Sequence, residues 1–259
     1  MLRLIGVGGV IAYRALFNWT TPAMFIGTLL VGPVFQLVFF AFLGRQLAVG
    51  SDHFYIVGNA VLASSGACVF GGVMAVSNER RFGTLGPVLL SPRSRTAVFL
   101  GRALPYAANG LLIATTTLLG GVLVMGVPVP ASALPSLLLA FAIGSVSCAF
   151  FGLALGAIGL RFRDVWLVSN VAVALMLLLT GVNVPAAALP DWVRTVGSFV
   201  PITHAAQAAR RLVAGGPLGD SVAPLAAELV VGVAYAVLAG ALLRIFEAES
   251  RRRASLDTL

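Results

Sequence analysis

Six stretches of this sequence are each long and apolar enough to cross a lipid bilayer, and no other feature constrains the fold as strongly. A spanning helix needs about 20 mostly apolar residues. The stretches run from about Pro22 to Leu43, Phe54 to Val76, Ala103 to Val127, Leu134 to Leu160, Val165 to Val182 and Ala223 to Arg244. The fifth is short, and Asn183, Pro185 and Pro190 interrupt its far end. The sequence predicts an all-α polytopic membrane protein with six transmembrane helices.

Charged residues are too few for a soluble protein of this size. They make up 10% of the 259 residues, and hydrophobic residues make up 59%. A soluble domain carries about 25% charged residues, because its surface must stay wet. The composition therefore excludes an ordinary soluble enzyme, a disordered chain and a fibrous protein.

The basic residues predict the orientation of the chain in the membrane. All 17 are arginines, a usage that together with abundant Ala, Gly and Val is typical of a GC-rich bacterial genome. With a cytoplasmic N-terminus, thirteen fall in inner segments, and only Arg45, Arg194, Arg210 and Arg211 fall in outer ones. Basic residues concentrate on the cytoplasmic side of membrane proteins. We therefore expect a multi-pass protein of the bacterial plasma membrane with both termini in the cytoplasm. This topology explains the positive charge better than a nucleic-acid partner does.

Several kinds of chemistry are excluded by what the sequence lacks. Without lysine it has no phosphate-binding loop of the GxxxxGK[ST] type, so any ATP that drives this protein must be bound by another chain. Cys68 and Cys148 lie in apolar runs, and His53 and His204 are not at the spacing of a zinc site. We predict no catalytic residue, no metal site and no cofactor in this chain, which is not expected to be an enzyme.

The whole chain, residues 1–259, is predicted to form one domain. Residues 1–20 are predicted to form an interfacial helix with Arg3 and Arg14 on one side and an apolar stripe on the other; a frayed N-terminus is the alternative. Residues 21–244 form the six-span core, and residues 245–259 form a cytoplasmic tail.

The fourth span carries small residues at every fourth position: Ala140, Gly144, Cys148, Gly152 and Gly156. Such a row makes a groove into which another helix backbone packs closely. The partner helix belongs either to the same chain or to another subunit.

The segment from Ser77 to Arg102, between the second and third spans, is too charged to span and too apolar for a plain linker. Leu85 and Leu89 lie on one face of a short helix there, which Ser91-Pro92 ends. A short amphipathic helix held between two spans either docks a partner or lies on the lipid surface.

This loop resembles the second cytoplasmic-side motif of ABC-2 type transporter permeases. The matching pieces are Glu79-Arg80-Arg81-Phe82-Gly83-Thr84-Leu85, then Leu89-Leu90-Ser91-Pro92, then Gly101-Arg102. The length, the interfacial N-terminal helix and the six spans are also similar, most of all to the daunorubicin-resistance type of drug exporter. Gly86 stands where the family usually has Glu.

The resemblance implies a division of labour between subunits. Two ATP-binding cassette subunits would bind ATP and magnesium and drive the pore, which this chain would form with a second permease copy or a paralogue. The loop would supply the cytoplasmic coupling helix, about Arg80–Leu90, with contacts from Arg80, Arg81, Phe82, Gly83, Thr84, Leu85 and Leu89. Glu79 and Arg80 would form a salt-bridge switch.

The region from Asn183 to Ser221 is apolar but broken by prolines. We predict two re-entrant outer helices here, before the sixth span, because non-helical backbone is tolerated at membrane depth only where protein or water covers it. The alternative is an ordinary outer loop. Trp192 lies in this region. By its resemblance to the same family, the region would close the outer end of the pathway.

Few polar residues lie inside the spans. Glu228 is the one acidic residue well inside a span, on the same face as Tyr235, and an intramembrane carboxylate is a functional candidate by default. With Trp192, these two residues are candidates for an outer gate or substrate path; alternatively, Glu228 pairs with Arg210 or Arg211. A further polar set lines the path or makes interhelical hydrogen bonds: Gln36, Asn59, Asn109, Thr115, Thr116 and Asn170.

The favoured function is the membrane subunit of an ABC exporter for a hydrophobic or amphipathic substrate such as a drug, lipid or glycolipid. A lipid-linked polysaccharide exporter is an alternative with the same fold. An ion-gradient-driven transporter or channel would need more intramembrane carboxylates, and a membrane-embedded enzyme would need a cluster of reactive side chains.

Overall fold

The fold is known from a computed structural model, which describes residues 6, 8–10, 21–48, 50–81, 83–84, 95–159 and 165–253. Within those ranges the chain is helical and contains no strand. The helices are α1 (Pro22–Leu47), α2 (Asp52–Arg81), α3 (Arg95–Met125), α4 (Leu134–Gly159), α5 (Val165–Leu179), α6 (Asp191–Gly197), α7 (Thr203–Val213) and α8 (Leu218–Arg253). Single 3-10 turns at Ala131–Ala133 and Ala186–Ala188 precede α4 and α6.

Five of the described helices are long and apolar enough to cross a membrane: α1, α2, α3, α4 and α8. The fifth predicted span forms the shorter α5, whose 15 residues extend about 22 Å, against a hydrocarbon core of about 30 Å. This helix stops at Leu179, and the chain then turns at Gly181, where φ is +67°. The prediction of an all-helical multi-pass membrane protein is confirmed, while the sixth crossing stays a prediction.

Helix α2 is the centre of the bundle and packs against α1, α3, α4, α5 and α7. Its contact with α4 is a close approach of two backbones, because a Cβ atom at Gly72 or at Gly152 would collide with the main chain of the facing helix. Gly156 likewise lies against Val73. The groove that the small residues of α4 form is therefore occupied by helices of this chain: by α2 and, at Gly144, by Ala205 of α7.

The bundle has an inner end, where Glu79 and Arg102 lie, and an outer end, where Asp52 and Asp191 lie; these names follow the predicted orientation. Helix α1 contains a π-helical stretch, Phe25–Val31, and exposes most of its apolar side chains, including Phe35 and Phe39. Such faces suit contact with lipid or with another membrane helix.

Two short helices, α6 and α7, lie between α5 and α8, as predicted. Whether they dip into the membrane stays a prediction. The predicted interfacial helix 1–20 falls almost wholly outside the described residues. Of it, Gly8 and Gly9 lie beside α3, near Val98 and Gly101.

Candidate functional site

A groove of about 580 Å³ opens on the side of the bundle, and it is the best candidate for a substrate site. Helices α1, α2, α3 and α5 form its walls. On α2 the lining extends from Leu62 to Asn78, which corresponds to about 24 Å along the helix axis. The groove is therefore nearly as long as the hydrocarbon core is thick.

The groove wall is mostly apolar and is interrupted by neutral polar groups. These are Thr28, Gln36, Asn78, Asn109 and Asn170, and no charged side chain is among the described residues that line the groove. Phe70 and Trp166 face each other across the gap between α2 and α5, with ring centroids 5.4 Å apart. Such a wall can hold an apolar body and hydrogen-bond a neutral polar group.

The polar residues that the sequence singled out divide into two groups. Gln36, Asn109 and Asn170 line the groove. Asn59 instead donates to the carbonyl oxygen of Tyr55 at 3.0 Å and to the side-chain oxygen of Asn183 at 2.8 Å. Thr115 and Thr116 donate to carbonyl oxygens one turn back in their own helix, α3.

Phe70, Asn78 and Trp166 also line the groove, and none of them is among the candidate residues predicted from the sequence. A signal for two of them exists along α2, where Ala63, Gly66, Ala67, Phe70, Met74 and Asn78 recur at intervals of one helical turn and all line the groove. Small residues on that face leave room for a ligand.

At the inner end, Glu79 forms an ion pair with Arg102 of α3, and both side chains are largely buried. The hydroxyl of Thr84 donates to the Glu79 carboxylate at 2.7 Å, and the Thr84 amide donates to the Glu79 carbonyl oxygen at 2.9 Å. Gly83, with φ of +68°, allows the chain to turn back in this way. Glu79 thus ties the start of the loop to α3.

The predicted coupling helix lies mostly outside the described residues. Arg80 and Arg81 are the last two residues of α2, and Gly83 and Thr84 follow it. Phe82, Leu85 and Leu89 are not among the described residues. The docking role of this segment therefore stays a prediction, and so does the Glu79–Arg80 switch.

At the outer end, Glu228 of α8 is fully buried and accepts three backbone N–H groups at the start of α7. They belong to Ile202, at 2.9 Å, to His204, at 3.2 Å, and to Ala205, at 3.1 Å. The first amides of a helix have no partner inside the helix, and a carboxylate there also interacts favourably with the helix dipole. Glu228 thus caps α7 from a different helix.

The cap coincides with an unusual backbone conformation. Ile202 has φ of +69°, a left-handed conformation that is rare for a β-branched residue. Tyr235 donates its hydroxyl to the Phe199 carbonyl oxygen at 3.0 Å. Two side chains of α8 therefore hold the segment from Phe199 to Ala205 that leads into α7.

The three residues predicted as an outer gate or substrate path do not come together. Glu228 and Tyr235 hold the same segment, whereas the side chain of Trp192 on α6 is exposed. None of the three is among the residues that line the groove.

Arg210 of α7 does not pair with Glu228 but connects three elements at the outer end. It donates to the carbonyl oxygens of Gly181, at 3.2 Å, and Val182, at 2.7 Å, and its guanidinium lies 3.7 Å from the ring centroid of Phe54 in α2. Burial lowers the pKa of Arg210 to about 10, so the group stays charged at pH 7. Arg211, by contrast, is exposed and donates to the Asp220 carbonyl oxygen at 2.7 Å.

Comparison with known proteins identifies the family. No curated protein shows a significant sequence match to this chain. The family of ABC-2 family transporter proteins matches residues 45–243, which include all of α2, α3, α4, α5, α6 and α7, most of α8 and both ends of the groove. That match covers more than half of the sequence, and the chain therefore belongs to the ABC-2 transporter family.

Proposed function

We propose that this chain is the membrane-spanning permease subunit of an ATP-binding cassette exporter, and that it moves a hydrophobic or amphipathic substrate from the cytoplasm or inner leaflet to the outside. The observation that carries the proposal is the family match over residues 45–243, since the matched segment also builds most of the groove wall. Permeases of this family are membrane components of transport and are not themselves catalytic.

The energy source is proposed to be ATP hydrolysis in a separate subunit. Permeases of the family normally work with an ATP-binding subunit, and this sequence has no lysine with which to build a phosphate-binding loop. Two copies of the ATPase would dock at the inner end, on the segment from Arg80 to Leu90. The Glu79–Arg102 ion pair joins that segment to α3, so it offers a physical connection from the docking site to the bundle.

A second permease copy or a paralogue would complete the pathway. The described residues that line the groove belong to α1, α2, α3 and α5 and leave it open on one side, where a second copy would cover it. The exposed apolar face of α1 is suited to a helix from the second copy. We further propose that α5 crosses the membrane together with neighbouring residues, that the protein lies in a bacterial plasma membrane with both termini in the cytoplasm, and that α6 and α7 close the outer end.

The contacts of Glu228 support ATP-driven transport rather than transport driven by an ion gradient. An ion-coupled carrier needs an acidic side chain that is free to bind and release its ion. Glu228 is already engaged by three backbone amides. Glu79 is engaged by Arg102 and Thr84.

The proposal is tested by isolating the chain from its native membrane in a mild detergent and identifying the proteins that come with it. We expect a stoichiometric partner with a phosphate-binding loop, and ATP-dependent transport when both are placed in liposomes. A chain that purifies alone and moves solute under an ion gradient without ATP would contradict the proposal.

The role of the inner ion pair is tested in the same liposomes. Glu79→Gln should lower the transport achieved per ATP hydrolysed, because the loop is released from α3. Asp220→Asn, at the exposed start of α8, is the matched carboxylate-to-amide control. An unchanged ratio in Glu79→Gln would exclude this connection as part of the coupling.

A further inference from the structure

We infer that the groove recognises an uncharged amphiphile with a hydroxyl-rich polar part, such as a glycolipid, and that it selects against cationic compounds. This inference deepens the proposed function, on which it rests for the identification of the groove as a transport site. It is carried by the polar and aromatic side chains of the groove.

Asn109 presents an amide to the groove that has no partner among the described residues. Asn109 lines the groove, its exposed fraction is only 4%, and its side chain makes no hydrogen bond to any other described residue. The amide can therefore donate to and accept from a molecule in the groove, and Asn109 favours a ligand that can hydrogen-bond.

Two further carboxamides of the groove, besides Asn109, indicate which chemical group fits the site. Gln36 and Asn78 also line the groove without a hydrogen bond to another described residue. A carboxamide both donates and accepts hydrogen bonds, and so does a hydroxyl group. Three carboxamides from three different helices therefore suit a ligand with several hydroxyl groups.

A further feature of the groove is the distribution of these groups along it. Asn78, Trp166 and Phe70 lie toward the inner end, whereas Leu62 and Leu177 lie toward the outer end. The amphipathic ring of Trp166 can pack against the boundary between a polar and an apolar part of a ligand. Gln36, the outermost of the α1 residues that line the groove, lies at the outer end with Leu62, so carboxamides occur at both ends of the groove with apolar side chains between them. Such a wall suits an elongated amphiphile that carries hydroxyl groups.

The last feature is the lack of charged side chains among the described residues that line the groove. No carboxylate is among the described residues that line the groove. The nearest acidic residue in sequence, Glu79, already pairs with Arg102. A cation in this groove would lose hydration without gaining a counter-charge from the described lining residues, and burying an unpaired charge is strongly unfavourable.

The inference is tested by binding, which does not depend on ATP. The full-length chain is placed in phosphatidylcholine nanodiscs and titrated with two fluorescent probes: an NBD-labelled short-chain glucosylceramide, and an NBD-labelled alkyl ammonium with the same hydrocarbon chain. Energy transfer from tryptophan reports binding. In a variant with Trp19→Phe and Trp192→Phe, Trp166 is the only one of the three tryptophans of the chain that remains. Because Trp166 is also half exposed, the part of the signal that an excess of the unlabelled ligand removes is taken as binding in the groove.

We expect the glucosylceramide probe to bind at least tenfold more tightly than the ammonium probe. Asn109→Leu and Gln36→Leu should each weaken glucosylceramide binding about two- to tenfold, the range for loss of one neutral hydrogen bond. Gln36→Glu should reverse the preference by supplying the missing counter-charge. The matched control, Thr116→Val, removes a polar group of α3 that does not line the groove and should leave binding unchanged.

Two results would overturn the inference. One is equal or tighter binding of the ammonium probe to the unmodified chain. The other is glucosylceramide binding that neither Asn109→Leu nor Gln36→Leu changes; because the Gln36 side chain is exposed to the groove, that variant folds even if Asn109→Leu does not. Amide-dependent binding in a chain that proves to have no ATPase partner would refute the proposed function and leave the groove chemistry standing.

Discussion

Replacing Glu228 with glutamine tests whether this carboxylate is a structural cap of α7 or a moving part of the transport path. One carboxylate oxygen accepts the amide of Ile202, and the other accepts the amides of His204 and Ala205. Glutamine has almost the same shape but only one accepting oxygen. In its best orientation it keeps two of the three bonds and turns its NH2 group toward the Ile202 amide.

The expected cost follows from these contacts. A hydrogen bond to a charged group contributes about 1.5–3 kcal/mol, and a buried amide left without a partner costs about 1–3 kcal/mol. Losing the bond to Ile202 and leaving that amide unpaired should therefore destabilise the chain by about 2.5–6 kcal/mol. At about 2–4 °C per kcal/mol for a chain of this length, the melting temperature should fall by at least about 5 °C and by up to about 24 °C.

The assay uses two reporters that the chain already contains. Cys68 and Cys148 are both fully buried and free, so a thiol-reactive dye labels them only as the protein unfolds. The control is Asp191→Asn, the same chemical change on a side chain that is 91% exposed, which should leave the melting temperature within about 2 °C. An unchanged melting temperature for Glu228→Gln would refute the capping role, and loss of transport in that stable variant would place Glu228 in the path.

Three further predictions concern the packing, the outer end and the docking segment. Gly72→Ala should destabilise the chain by about 1–3 kcal/mol or more and so lower its melting temperature, because the new methyl group collides with the backbone of α4. Gly66→Ala on the same helix meets open space and should be neutral or stabilising. Arg210→Lys should lower the free energy of unfolding by about 1.5–3 kcal/mol, because an ammonium group cannot bond two carbonyl oxygens and stack on the Phe54 ring at once. The adjacent Arg211→Lys should change the melting temperature little. Equal effects of the two substitutions would contradict the role of Arg210 as a connection between three elements. Leu89→Asp should abolish ATP-driven transport without blocking membrane insertion, and normal transport by this variant would exclude Leu89 from the docking face.

The spanning helices could be predicted because lipid imposes a simple rule on sequence. A span must be apolar over its whole length, and five of the six predicted stretches form such helices. The predicted ends were too short where a helix continues into polar surroundings: α2 extends beyond Val76 to Arg81, and α3 begins at Arg95 rather than near Ala103. Apolar patterning marks only the part of a helix inside lipid, whereas the backbone hydrogen bonds continue into water.

The candidate site was less predictable because it depends on how helices face one another. Glu228 was identified from its charge, but its partners are backbone amides of α7, and backbone groups leave no mark in the sequence. Trp166 could be assigned to the groove only from the packing of α5 beside α2, whereas Asn78 lies on a face of α2 that its helical spacing already indicates. The motif that begins at Glu79 could be recognised in the sequence by its resemblance to the family. The ion pair of Glu79 with Arg102 could not, because it joins two separate helices.

The central position of α2 has a consequence for the biogenesis of this protein. Two-thirds of its most apolar stretch is covered by protein, and its buried face includes the polar residues Asn59, Ser64 and Ser65. The ribosome completes α2 before it makes α3 and α4, the helices that supply most of this cover. The insertion machinery must therefore shelter α2 until α4 emerges. A chain that terminates between α3 and α4 would leave that face against lipid, and we expect such fragments to be cleared by membrane proteases.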